Sequence, residues 1–221
     1  MTQWKVSAWL GAAICSSVLA VGCGGDEFSG GSGGQAGANT AGQGGSAGQG
    51  GAAAGAAGQG GAGGDLLVFV TTRKLKGDLG GPTGADGVCN EAAQSAKVPG
   101  TFSAWISSKA SSAAVRLTSN GPWRLRDGRV VADSKSELVS GTLQNAINTH
   151  EDGALLSGTT QVWTGTRVDG QPAAASCSDW TSASDLDKGL AGEAKSKDPP
   201  WTESGSILPC SGERRLYCFQ K

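Results

Sequence analysis

Four cysteines and one histidine are the residues of the C-terminal part of this chain best suited to chemistry. Cys89, Cys177, Cys210 and Cys218 are separated by 88, 33 and 8 residues. No pair has the CxxC spacing of a structural zinc site, so a zinc centre is not expected. An even cysteine count in an exported chain reads as disulfides, and four cysteines allow three pairings between which spacing does not choose. His150 stands in NTHEDG beside Glu151 and Asp152. Those three could supply part of a metal site, but a polar cluster followed by glycine reads more simply as an exposed turn. No serine or cysteine nucleophile is set beside the histidine, and the carboxylates are scattered without a cleft to pair them. GDLGG (77–81) and GADG (84–87) lack the lysine of a P-loop and the fingerprint of a dinucleotide site. The expectation is a protein that is not an enzyme and carries no cofactor or metal.

The compartment follows from the other end of the chain. Residues 1–23 read MTQWKVSAWLGAAICSSVLAVGC. One positive charge, Lys5, precedes a largely apolar run from Val6 to Val21, and small residues follow, which is the layout of a secretory signal peptide. The run is short of the ~20 apolar residues that a bilayer core needs and is diluted by Ser, Gly and Ala. LAVGC resembles the lipobox of bacterial lipoproteins, with Ala20 where leucine is common and Leu19 one place earlier. That resemblance implies acylation at Cys23. Cys15 follows Ile14, a poor cleavage context. Several acyl chains would hold the protein on a membrane durably, where one chain binds only marginally. Gly24, rather than aspartate, follows the cysteine, and by resemblance to sorting signals this implies the outer membrane.

Residues 24–64 are expected to form a tether. From 29 to 64 there is neither a charge nor a large hydrophobe, and AGQGG recurs at 41, 47 and 57. Such a segment has nothing to offset the entropy of ordering a glycine-rich backbone. Glycine does not fall at every third place and proline is missing, which excludes a collagen helix. A coil of this composition and length spans roughly 30–36 Å r.m.s..

Residues 65–221 are long enough for one domain with its own core. Setting aside Lys5, Asp26 and Glu27 leaves 17 basic and 17 acidic side chains. A domain of zero net charge has no general attraction for nucleic acid, and RKLK (73–76) and RLRDGR (124–129) read as solvated edges. The pattern predicts a mixed fold. LLVFVTT (66–72) has the continuous apolar run of a strand buried on both faces. Ala85, Val88, Cys89, Ala92, Ala93 and Ala96 recur at helical spacing, with Thr83 or Asp86 as the N-cap. TFSAWIS (101–107) alternates like a strand, and the DG at Asp127–Gly128 predicts a hairpin. QVWTGT (161–166) and RLYCFQ (215–220) are further strands. The 167–209 stretch, rich in Gly, Pro, Ser and Asp, reads as a long loop, and loops of that length are usually functional or pinned covalently.

The ordered series GADGVCNEAAQSAKVPGTFSAWISS, the DG hairpin, ELVSGTL, VWTGTRVDG, CSDWTS and RRLYCF resembles a family of bacterial surface domains related to endostatin. The resemblance covers essentially all of 66–221. It implies an α+β, C-type-lectin-like fold: a twisted mixed sheet, one main helix, long loops and two nested disulfides. Carried over, the nest pairs Cys89 with Cys218 and Cys177 with Cys210. In the chain-entropy picture the outer and inner closures are worth about 4–5 and about 3.5 kcal/mol.

The same resemblance places the ligand surface of a binding module in the irregular region, with Arg167, Asp169, Gln171, Asp185, Asp187, Lys188 and Glu203 as exposed candidates and Trp201 as an aromatic anchor. Alternatively, Trp201 is buried and the loop only covers the core. Calcium-dependent lectins carry EPN or QPD and WND. The matching places here read QPA (171–173) and WTES (201–204), so the oxygens that calcium needs are not assembled. Endostatin's histidine zinc set and its basic heparin patch have no counterpart. The expected function is a membrane-anchored, surface-displayed binding or adhesion module for a glycan, matrix or protein ligand, independent of calcium and not for nucleic acid. The alternative is a structural cell-envelope lipoprotein domain without a specific ligand.

Overall fold

The computed structural model describes residues 64–221. Cys23 and the signal and tether segments lie outside the described residues. Strand β1 (Leu66–Val70) occupies the middle of a five-stranded sheet of order β2-β8-β1-β3-β4, with Val68, Phe69 and Val70 fully buried. Its neighbours are β8 (Tyr217–Gln220), antiparallel, and β3 (Trp123–Arg124), parallel. The outer strands are β2 (Phe102–Ala104) and β4 (Val130–Ala132). The C-terminal strand therefore lies between β2 and β1, with ladder hydrogen bonds on both sides, and Phe69, Cys218 and Ala104 stand abreast.

Helix α1 (Gly81–Ser95) packs on β2 and buries Ala85, Cys89 and Ala93, and Cys89 is bonded to Cys218 of β8. Its start corrects the expected cap. Gly80, in the left-handed region at φ 77°, holds the N-cap place, and Pro82 occupies the first turn. Neither Thr83 nor Asp86 caps the helix. Asp86 instead lies further along α1 and faces β2.

The expected alternation of 101–107 is present by face, but both faces are covered. Phe102, Ala104 and Ile106 join one apolar cluster while Trp105 joins the other. The hairpin forms as the DG dipeptide predicts, linking β3 to β4 with Gly128 at φ 88°. Short helices α2 (Ala113–Arg116) and α3 (Lys135–Leu138) flank these strands.

The 167–209 stretch is not one long loop, which is a correction. It contains β6 (Lys188–Glu193), the central strand of a second sheet between β5 (Gln161–Trp163) and β7 (Ser206–Pro209), and a short 3₁₀ turn, Pro199–Trp201. Two glycines disguise β6. A Cβ on Gly189 would lie 2.7 Å from Cys177 Sγ, and one on Gly192 would lie 2.1 Å from the Trp201 carbonyl oxygen. Glycine is required there by close approach, and it lowers strand propensity in doing so.

The sheet edges are blunted. Asn90 of α1 accepts from Phe102 N at 2.8 Å and donates to Phe102 O at 3.1 Å, while Asp86 accepts from Ala104 N at 2.8 Å. On β4, Val130 O is taken by Asn145 and Val131 O by Gln144 N. The short edge strand β7 ends in Pro209, which has no donor to offer. Covered, short and proline-bearing edges resist pairing with other chains.

Candidate functional site

The direction of β1 and β2 separates two ends of the domain. Leu66 N bonds Pro122 O and Leu67 N bonds Gln220, so the preceding chain joins at one end. Past β2, Trp105 N still bonds Tyr217 O, and Ser107 N crosses to Thr164 O. The chain then turns at Lys109–Ala110, at the opposite end. Here the segments 108–115, 171–178 and 186–188 meet around two adjacent shallow depressions.

The first depression, of about 330 Å³, is lined by Lys109, Ser176, Ser178, Leu186, Asp187 and Lys188 among others. The second is lined by Lys109, Ser111, Val115, Gln171 and Pro172 among others. Lys109 belongs to both. Leu186 and Val115 are 89% and 73% exposed, the two highest values among the exposed large hydrophobics of the described residues.

One wall of the first depression is an unusual piece of backbone. Cys177, Ser178, Asp179 and Trp180 have φ of 48°, 54°, 56° and 66°, four consecutive non-glycine residues in a left-handed turn. Each such residue costs about 1–2 kcal/mol through the clash of Cβ with the following carbonyl. The surroundings hold the turn in place. Cys177 is bonded to Cys210, and Gly77 and Gly189 leave room for its sulfur. Trp180 is fully buried, its Nε1 donates to Ser107 O at 2.7 Å, and a side chain at Gly165 would collide with its ring. Asp179 accepts from Lys109 N at 2.8 Å and from the Ser176 hydroxyl at 3.3 Å. The turn therefore fixes the backbone of Lys109 as well as its own.

Ser178 is exposed, and its hydroxyl has no hydrogen-bond partner among the described residues. Ser178→Gly removes only the Cβ clash. It is expected to raise the unfolding free energy by about 0.5–1 kcal/mol after allowance for glycine's greater unfolded-state entropy. A urea titration checks this, and a lower midpoint would contradict it.

The expected site residues divide. Gln171 lines one depression, and Asp187 and Lys188 line the other. Arg167 and Asp169 pair with each other at 2.9 Å in the turn closed by Arg167 N to Gln171 O, and both are exposed. Asp185 flanks the first depression. Its carbonyl accepts from Lys188 Nζ at 2.8 Å and its carboxylate takes the Ser211 hydroxyl. Two candidates are corrected. Trp201 is fully buried, 5.2 Å from Trp105 and 5.7 Å from Tyr217 by ring centroid, so it is a core residue and not a surface anchor. Glu203 is half-buried and its carboxylate accepts from Val168 N at 2.9 Å, a structural task. Lys109, Val115 and Leu186 were not singled out from the sequence. Leu186 had a usable signal, as a lone large aliphatic in the polar run SDLDK.

His150 and Glu151 also have structural partners. His150 Nδ1 lies 3.0 Å from Val70 O, and Glu151 takes Thr72 N at 2.9 Å together with the Thr72 hydroxyl. The nearby Arg215 donates to Thr71 O, and burial lowers its pKa against the opposing pull of Glu151. Burial raises Tyr217 well above the ordinary phenol range, so it stays neutral. Among the described residues no three His, Cys, Asp or Glu side chains are grouped as a metal would need, and no helix is long and apolar enough to cross a membrane.

Fold and site together define a small α+β domain of two mixed or antiparallel sheets, stapled by two nested disulfides, with a shallow surface at the end away from its N-terminal junction. The chain belongs to the DUF1554 family, described as proteins of unknown function, which it matches over residues 72–197. The matched stretch holds all the lining residues of both depressions but neither Cys210 nor Cys218. A comparison with curated proteins gives no match.

Proposed function

We propose that the protein is a membrane-anchored, surface-displayed binding module whose contact surface is the pair of depressions that meet at Lys109. The observation that carries this reading is their position. They lie at the end of the described domain away from Leu66, where three chain segments gather the exposed Leu186 and Val115 beside Lys109. The nested bridges and the ordered motif series support a C-type-lectin-like, endostatin-related reading of the fold, though fold kinship alone does not set function. Loops fixed on a rigid scaffold are where recognition concentrates.

The partner is a protein surface in preference to a stacked sugar. Every aromatic side chain among the described residues is buried, so the exposed groups at the site are aliphatic (Leu186 and Val115, beside the half-buried Pro172), charged or hydroxylic. The reading is of calcium-independent binding, supported by the commitment of Glu203 to Val168 N and by the lack of a converging carboxylate set among the described residues. Full-length protein applied to arrays of matrix proteins and glycans, with and without EDTA, tests this. Binding to a protein that survives EDTA is expected. Retention by no arrayed molecule would favour a structural envelope role, and loss in EDTA would overturn the calcium-independent reading.

Anchoring is tested separately. Cys23→Ala is expected to abolish palmitate labelling and to release the protein from the membrane fraction. Labelling that persists would overturn acylation at Cys23.

A further inference from the structure

We infer that the Cys177–Cys210 disulfide is a separately reducible latch on the left-handed turn, opened by a dithiol while Cys89–Cys218 keeps the rest of the domain folded. The two bridges sit in different mechanical settings. Cys218 lies in β8 with β1 and β2 hydrogen-bonded on either side, and Cys89 lies on the buried stripe of α1. Exposing that bridge means dismantling the central sheet. Cys177 begins the four-residue left-handed turn, and Cys210 directly follows β7, the outer strand of the smaller sheet. The segment facing them, Asp185 to Lys188, is largely exposed and includes the most exposed Leu of the described chain.

Cys177 and Cys210 are fully buried, so attack needs local opening, and the exposed segment Asp185 to Lys188 beside them gives the less costly route to it. The unfavourable φ values work in the same direction. Freed from Cys210, residues 177–180 can return to the right-handed region that their side chains prefer. Re-closure then has to restore the left-handed turn, which favours the open dithiol form. The loop closed by this bridge is also the smaller of the two, 33 residues against 129, so it gains less from the constraint on the unfolded chain.

The chemistry is ordinary exchange. A thiolate of the dithiol attacks one sulfur and forms a mixed disulfide with release of the other cysteine as thiolate. The second thiol of the reagent then closes on its partner, leaving Cys177 and Cys210 as thiols and the reagent as a cyclic disulfide. Opening the latch removes a wall of the first depression, because Asp179 no longer fixes Lys109 N. That last consequence alone rests on the proposed binding surface.

The test is graded reduction of the full-length protein with dithiothreitol, quenching with iodoacetamide, and peptide mass mapping alongside circular dichroism and tryptophan fluorescence. The expected result is an intermediate alkylated at Cys177 and Cys210 with Cys89–Cys218 intact, native-like circular dichroism and altered Trp180 emission, formed on the order of tenfold faster than the second reduction. Ser178→Gly separates strain from mere access. If strain drives the opening, the variant reduces more slowly at 177–210 and at an unchanged rate at 89–218. Simultaneous reduction of both bridges, earlier reduction of Cys89–Cys218, or a Ser178→Gly protein that reduces at the parent rate would each overturn the inference. None of these outcomes bears on whether the surface binds a ligand.

Discussion

Replacing Arg116 by alanine is expected to lower the unfolding free energy by about 3 kcal/mol, the low end of the range for removing one member of a buried ion pair, because this pair is only partly buried. Arg116 and Asp86 are only 13% and 20% exposed, and their closest atoms are 2.6 Å apart. The guanidinium also donates to Ala104 O at 3.1 Å, Ile106 O at 2.9 Å and Pro82 O at 2.9 Å. One side chain thus ties the start of α1 to β2 and to α2. Its loss leaves three carbonyls without that donor and leaves Asp86 with Ala104 N at 2.8 Å and longer contacts to the Ser103 hydroxyl at 3.5 Å and Lys221 at 3.6 Å. Arg116→Lys keeps the charge but presents a compact ammonium where a planar fork serves four acceptors, so it restores only part of the loss. Chemical denaturation of the three proteins checks the ranking. Alanine and lysine variants as stable as the parent would show that the hub is not needed.

Trp201→Ala is expected to cost about 3–5 kcal/mol, as a large aromatic deleted from a packed interior. The ring lies among Trp105, Tyr217 and the aliphatic residues of the larger apolar cluster, and the Trp201 carbonyl accepts from the Tyr217 hydroxyl at 3.0 Å. Its own Nε1 has no hydrogen-bond partner among the described residues. Trp201→Phe therefore forfeits volume but no hydrogen bond and should cost clearly less than alanine. Thermal melting distinguishes the two. A Trp201→Ala protein that melts like the parent would contradict the core assignment and return the residue to the surface.

How far the sequence discloses the fold depends on what each residue has to signal. The strands at 66–70 and 217–220 and the DG hairpin are local, because apolar runs and turn chemistry are written in adjacent residues. The helix is legible in its alanine and cysteine stripe, but its start is not. Gly80 and Pro82 set it, and Asp86 is drawn away to serve β2 and Arg116. Strand β6 is illegible because Gly189 and Gly192 are demanded by sulfur, indole and carbonyl neighbours distant in sequence. The left-handed turn is hidden for a related reason. CSDW contains no glycine, and only the surrounding bridge, tryptophan pocket and Lys109 contact impose the conformation.

The candidate surface is half legible. Gln171, Asp187 and Lys188, the last of these opening β6, fall in the stretch 167–209 to which the sequence points for recognition, whereas Lys109 and Val115 come from the segment after β2 and reach the site only through the fold. Trp201 misleads because an aromatic in a Pro- and Ser-rich stretch reads equally as an anchor or as a core plug, and burial alone decides between them.

The most direct test of the proposed contact surface is the double variant Val115→Glu/Leu186→Glu, assayed against whichever arrayed matrix protein the parent retains. Both side chains are exposed, so the substitutions should leave melting within about 0.5 kcal/mol of the parent. Placing two carboxylates on the aliphatic contacts of both depressions is expected to weaken binding by at least about tenfold, the equivalent of about 1.4 kcal/mol. Undiminished binding by a double variant that melts normally would contradict the account.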